Sequence, residues 1–177
     1  MGRKNLRFTV AMAAFVVFTL IAYREEVLGV LLAPLTLLTA QTTTGLLHWW
    51  GMEAARTATT ISHPSGFSYE IYYRCTGFLP TAFLATAILS CRGRAFSKIL
   101  GLAVGIPLLL ALNLARLVHL YLLGVHQRDV FDVAHRVVWE TIMVLAVATL
   151  WLVWLRWSGR IADPGQETSK EPIRVPA

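Results

Sequence analysis

The sequence predicts an all-α integral membrane protein, with four or five transmembrane helices, an interfacial helix on the outer surface and a small hairpin beside it. Three observations carry this. The 177 residues are 56% hydrophobic and only 15% charged, with a mean hydropathy of +0.58, which exceeds what the core of a soluble domain requires. The apolar residues gather into long runs: Phe8 to Tyr23, Val27 to Trp50, Ile71 to Cys91, Ile99 to Gly124 and Val137 to Trp157. Finally, three basic clusters contain no acid: Arg3, Lys4 and Arg7; Arg92, Arg94 and Lys98; Arg156 and Arg160.

A spanning helix takes about 20 mainly apolar residues, which places spans at about residues 6–23, 71–91, 99–124 and 135–157. The first reaches this length with Leu6 and a snorkelling Arg7. It resembles a secretory signal, but its end, Tyr23-Arg24-Glu25-Glu26, offers no small-x-small cleavage site, so it reads as an uncleaved anchor. Arginines in the other connections are mixed with Glu25, Glu26, Glu53, Glu70, Asp129 and Asp132, whereas the acid-free clusters mark the cytoplasmic side. Four spans with both termini inside satisfy that pattern. The net charge of +6 then reflects topology, and no nucleic-acid partner is expected. Residues 1–157 form the membrane domain. The stretch 158–177, with three prolines and mixed charge, is expected to be a disordered cytoplasmic tail.

The outer segment, 24–70, is apolar enough to touch the bilayer. Pro34 and the run Gln41-Thr42-Thr43-Thr44-Gly45 are expected to break Leu28–Trp50 into two short pieces. Were this segment to span, the basic clusters would fall on opposite sides, so it reads as interfacial helix anchored by Trp49 and Trp50, with a fifth span as the alternative. Ala55 to Ile61 and Phe67 to Tyr73 have strand composition and flank the turn His63-Pro64-Ser65-Gly66, which predicts a hairpin. Tyr69, Tyr72 and Tyr73 form an aromatic belt that brings the chain to Cys75 at the membrane face.

Cys75 and Cys91 stand at opposite ends of one predicted helix, about 24 Å apart, against a disulfide limit of about 7 Å between Cα atoms. Both are expected to be free. A lone thiol on an oxidising surface is unusual, and Cys75, beside Arg74 and at a helix N-terminus, is placed to favour the thiolate. Cys91 is expected only to pack. Arg116 lies about 12 Å below the outer end of the 99–124 span, with Asn113 and His119 on its helical face. Asp129 is expected to cap the last helix, which places His135 almost two turns in and at a comparable depth. Cys75, Arg116 and His135 therefore meet at one outer pocket. A cysteine nucleophile, a histidine general base and an arginine cation form a working set for acyl transfer. The alternatives are that Arg116 pairs with Glu140 to join two helices of a non-enzymatic scaffold, or that it lines the anion path of a small transporter. His48, His63 and His126 are expected to be interfacial, turn and loop residues, and His119 either orients the site or bonds a neighbouring helix. No metal-ligand spacing or phosphate loop is present, so neither metal nor cofactor is expected, and "GLAVG" reads as close helix packing.

"RCTGF" at Arg74–Phe78, "NLARL" at Asn113–Leu117 and His135 at the opening of the last helix resemble, in order and spacing, the motifs of the exosortase/archaeosortase family. The resemblance spans about Leu6 to Trp157. "SHPSGFSYEI" and "FDVAHRVVWE" look most like exosortase H, and Thr76-Gly77 replaces the family's usual Ser-Gly or Asn-Gly. The resemblance implies a multi-pass cysteine transpeptidase of the bacterial inner membrane with its active site facing the periplasm. Its partners would be C-terminal sorting signals, of the PEP-CTERM or IPTL kind, and a membrane lipid or surface polysaccharide acceptor. It implies Cys75 as nucleophile, His135 as base and acid, and Arg116 as oxyanion stabiliser.

Overall fold

The structure, a computed structural model, describes residues 25–91 and 93–162, preceded by Val10, Ala13, Ala14 and Val17. Apart from those four residues, the predicted first span lies outside the described residues, as does the predicted tail beyond residue 162. The described chain runs α1 (Glu25–Leu31), α2 (Ala33–Trp49), β1 (Ala55–Thr57), β2 (Thr60–Ser62), β3 (Ser68–Glu70), a 3-10 turn (Tyr73–Thr76), α3 (Phe78–Ser90), α4 (Ala95–His126) and α5 (Arg128–Val133). A π-helical turn (Ala134–Val138) then leads without a break into α6 (Trp139–Ala162).

Two stretches, Ala95–His126 and Arg128–Gly159, are long and apolar enough to cross a membrane, with mean hydropathies of 2.1 and 1.9 in their most apolar windows. Only 17% of the residues in either window are buried, whereas the core helix of a soluble protein is mostly buried. Leu108, Val144, Leu145, Leu152 and Val153 point outward, as side chains facing lipid do. α3 is a shorter apolar helix of 13 residues, about 20 Å. It covers only part of the span predicted at 71–91 because Gly77, at φ 77°, turns the chain immediately before it. α3, α4 and α6 pack around Leu84, Ile88, Leu109, Val147 and Trp154. The two glycines of "GLAVG" permit this approach. A Cβ at Gly101 would lie 2.4 Å from the Trp154 ring, and one at Gly105 would lie 2.6 Å from Leu84 Cδ2.

The outer segment differs from expectation in two respects. Pro34, in the first turn of α2, accompanies the break between α1 and α2, since proline suits a helix start. The polar run Gln41–Gly45, however, leaves α2 unbroken. The hydroxyls of Thr39, Thr42, Thr43 and Thr44 each donate to the carbonyl four residues earlier, which satisfies them inside the helix and lets Thr43 and Thr44 be buried. The predicted hairpin is a three-stranded antiparallel sheet in the order β1-β2-β3. Ala58, at φ 53°, turns the first predicted strand back on itself, so that Thr57 pairs with Thr60 and Ala55 with Ser62.

This sheet sits on the C-terminal end of α4 through aromatic side chains. Phe67 meets Tyr121 edge-on at 6.2 Å and Phe131 at 5.5 Å, Tyr69 donates to the Leu117 carbonyl at 3.3 Å, and Tyr121 donates to the Glu53 carbonyl. Burial raises the Tyr69 phenol well above its usual range, with Cys75 and Tyr121 adding to the rise, so Tyr69 remains a neutral donor. Gly124 leaves room for Phe67, whose Cζ would lie 1.9 Å from a Cβ there. A ring wedged among three other aromatics yields only by repacking. Gly124→Ala is therefore expected to lower stability by about 1–3 kcal/mol, read as a fall in the thermal aggregation midpoint in mild detergent, while Gly159→Ala, which meets nothing, leaves it unchanged.

Candidate active site

Cys75 lies in the 3-10 turn Tyr73–Thr76, just before α3. The turn is closed by Cys75 N–H donating to the Tyr72 carbonyl at 2.8 Å and by Thr76 Oγ1 donating to the Tyr73 carbonyl at 2.6 Å. Gly77 then takes the left-handed conformation, and a Cβ on it would also come within 3.2 Å of Asn113. Glycine is thus required there by backbone and by space together. Cys75 is half-buried and free, and it packs against the cluster of Ala40, Leu47, Ile61, Ile71, Leu117, Val118 and Tyr121. Asn113 of α4 donates from Nδ2 to the Cys75 carbonyl at 2.7 Å.

Arg116 follows one turn along α4, 5% exposed. Its guanidinium reaches across to the last helix, with Nη2 3.6 Å from Glu140 Oε1 and 3.5 Å from the His135 carbonyl. Among the described residues, Nε of Arg116 and Oδ1 of Asn113 are buried without a partner. His135 lies in the π-helical turn and stacks at 5.9 Å on Phe131, their rings inclined by only 5°. The predicted N-cap is not formed: α5 begins at Arg128 behind Gln127, with no side-chain cap, and Asp129 lies within the first turn. The chain passes from α4 to α5 through a single non-helical residue, Gln127, which leaves no loop for Asp129 to close.

Of the sequence-predicted trio, Arg116 touches the His135 main chain, and it lies close enough to act electrostatically on both the Cys75 thiol and the His135 imidazole. Glu140 acts on both as well. Among the described residues no hydrogen bond joins the thiol to the imidazole. A cavity of about 620 Å³ is lined by Arg74, Asn113, Arg116 and Glu140 and by apolar side chains of α3 and α6; of the trio expected at one pocket, only Arg116 is on its wall. Arg74 is partly occupied, its Nε donating to Tyr73 Oη at 3.1 Å.

The other polar candidates have local partners. His119 is exposed on α4 and accepts from Trp139 Nε1 at 3.0 Å, which joins α4 to α6 and takes it out of the buried face of Asn113 and Arg116. His48 bonds the Ala54 carbonyl at 2.6 Å, His63 lies within 2.8 Å of Ser65 Oγ in the predicted turn, and His126 bonds the Leu122 carbonyl at 3.0 Å. Among the described residues no group of histidines, cysteines and acids has the arrangement of a metal site. Sequence reasoning missed the hold of Asn113 on Cys75. The signal available was its spacing of three residues from Arg116.

The site is that of a helical membrane protein whose buried arginine meets the main chain of a histidine-bearing wide turn. The family model for transmembrane exosortases (Exosortase_EpsH) matches residues 1–154. The chain belongs to that family. A search of curated proteins gave no match, and a search of solved structures gave none.

Proposed function

We propose that the protein is a membrane cysteine transpeptidase that cleaves C-terminal sorting signals of exported proteins. The observation that carries this is Arg116, buried on the wall of a 620 Å³ cavity and within electrostatic reach of both Cys75 and His135. A buried guanidinium with an unpaired Nε is the kind of fixed cation that stabilises charge developing on a peptide carbonyl oxygen. Membership of the exosortase family supports the same reading.

In the proposed reaction, His135 takes the Cys75 proton and Sγ attacks the scissile carbonyl, whose oxygen becomes an anion beside Arg116. The tetrahedral intermediate collapses to a thioester, and the departing amine takes its proton from His135. An acceptor hydroxyl or amine, from a membrane lipid or surface polysaccharide, then gives its proton to His135 as it attacks the thioester; the C–S bond breaks, and His135 returns that proton to the Cys75 sulfur. Catalytic hydrogen bonds are often loose before substrate binds, so the missing thiol–imidazole contact fits a resting site. A sorting signal anchored by its own membrane helix arrives already positioned, which lowers the entropic cost of the attack. In this reading the chain lies in the bacterial inner membrane with Cys75 facing outward and both termini in the cytoplasm.

The test is co-expression with a secreted protein bearing a PEP-CTERM or IPTL-type tail. Loss of the tail, dependent on this chain, is the expected outcome; an uncleaved tail for every signal of these kinds rejects the proposal. Orientation is read separately, with an impermeant thiol reagent on intact spheroplasts. Cys75 is expected to label and Cys91 not to label. Labelling of Cys75 only after permeabilisation would reverse the topology.

A further inference from the structure

One turn of α4 holds the main chains of both proposed reacting residues. Asn113 Nδ2 grips the Cys75 carbonyl at 2.7 Å, and Arg116, three residues on, reaches the His135 carbonyl at 3.5 Å. Residues three apart stand on one helical face, so the distance between the two gripped carbonyls is set by a single rigid element.

The hold on Cys75 is specific. A carbonyl accepts and does not donate, which turns the nitrogen of the Asn113 amide toward Cys75 and Oδ1 away from it. Asn113 is 2% exposed, and the Gly77 main chain leaves only 3.2 Å between its missing Cβ and the Asn113 Cβ and Cγ. Among the described residues the Asn113 Oδ1 is buried with no partner, a costly arrangement that a leucine of similar size would avoid. Packing alone does not account for an asparagine here; the donated hydrogen bond does.

We propose that Asn113 is a positioning residue of the transpeptidase reaction, which fixes the Cys75 turn against the turn of α4 that carries Arg116. The proposal rests on Cys75 being the nucleophile. Without the Nδ2 donor, the turn keeps its internal bonds and its apolar packing but loses its hydrogen bond to the turn of α4 that carries Arg116, and the sulfur no longer keeps one distance from Arg116.

The experiment uses the full chain in membranes, with wild type, Asn113→Leu and Asn113→Asp. Asp keeps the size and polarity of the side chain but, when ionised, presents only acceptors to the Cys75 carbonyl. Tail cleavage is followed as the mole fraction of substrate is varied, and the alkylation rate of Cys75 by a permeant maleimide is measured in the same membranes. Expected are an at least tenfold fall in kcat, an apparent KM within twofold of wild type and an alkylation rate altered several-fold. Cleavage within twofold of wild type, or a loss carried by KM alone, overturns the proposal. If Asn113→Leu fails to accumulate, Asn113→Asp decides the matter by the same readings. Should wild type cleave nothing, or Cys75→Ala cleave as well as wild type, the transpeptidase reading itself fails. Alkylation then still judges the contact: an unchanged rate shows that Asn113 does not hold Cys75.

Discussion

Cys75→Ala and Cys75→Ser are expected to abolish tail cleavage, by at least about a thousandfold, which is the scale on which loss of a nucleophile acts. Both variants should accumulate in the membrane at wild-type levels. The thiol is half-buried, accepts no structural hydrogen bond among those described and only borders the cluster around Leu117 and Tyr121. Its backbone contacts, from N–H to the Tyr72 carbonyl and from the carbonyl to Asn113, survive any side chain. Serine is the stricter of the two, since it keeps size and polarity yet is a far weaker nucleophile without thiolate character. Quantitative blotting of the tagged chain alongside its substrate separates lost chemistry from lost protein, and cleavage by either variant at near wild-type rate would remove the cysteine from the mechanism.

Arg116→Met is expected to lower cleavage about 10²- to 10³-fold, the range seen when one donor is removed from a site that stabilises an oxyanion. It should change accumulation less than twofold. The second expectation comes from the imbalance of the ion pair: the Arg116 side chain is 6% exposed but that of Glu140 is 62% exposed. Deleting the arginine leaves an exposed carboxylate at the cavity wall instead of a stranded buried charge, and removes the burden of a guanidinium whose Nε finds no partner among the described residues. Methionine fills the space flexibly. A scaffold in which Arg116 ties α4 to α6 predicts the reverse, with chain level falling and any residual chain retaining full cleavage. Arg116→Lys separates charge from shape, because an ammonium cannot reach the His135 carbonyl and the Glu140 carboxylate with the same planar fork. It should resemble the methionine variant more than wild type.

Much of this architecture was legible because it depends on composition and period. The two long helices follow from runs of apolar residues, and the close approach of α4 to α3 and α6 follows from Gly101 and Gly105. Arg116 stood out as a charge in an apolar run, and burial near Cys75 and His135 fits that signal. What escaped depends on backbone detail with no composition signal. The turn at Ala58 contains no glycine, asparagine or aspartate, so a three-stranded sheet looked like two strands. The threonines of α2 looked like a break because polarity was visible, whereas their bonds to carbonyls four residues back were not. Asp129 looked like a cap because a span ending near residue 124 leaves room for a loop before it, whereas α4 runs on to His126 and only Gln127 separates it from α5. Asn113 looked like a companion of Arg116 and His119, but only contact geometry distinguishes a residue gripping Cys75 from one bonded to Trp139.

The wide turn at Ala134–Val138 changes the phase of everything after it. In a regular helix, residues five apart are rotated by roughly 500°, which is about 140° from facing the same way. A π-helical turn, closed between residues five apart, advances each residue by only roughly 80°, and three such steps followed by two ordinary ones bring Glu140 to within about 80° of His135. That is why one guanidinium meets the carbonyl of the first and the carboxylate of the second. The turn thus acts as an angular offset between two parts of one helix: the part before Trp139 is indexed to Arg116, and the part after it is free to follow the packing of Val147 and Trp154 against α3 and α4.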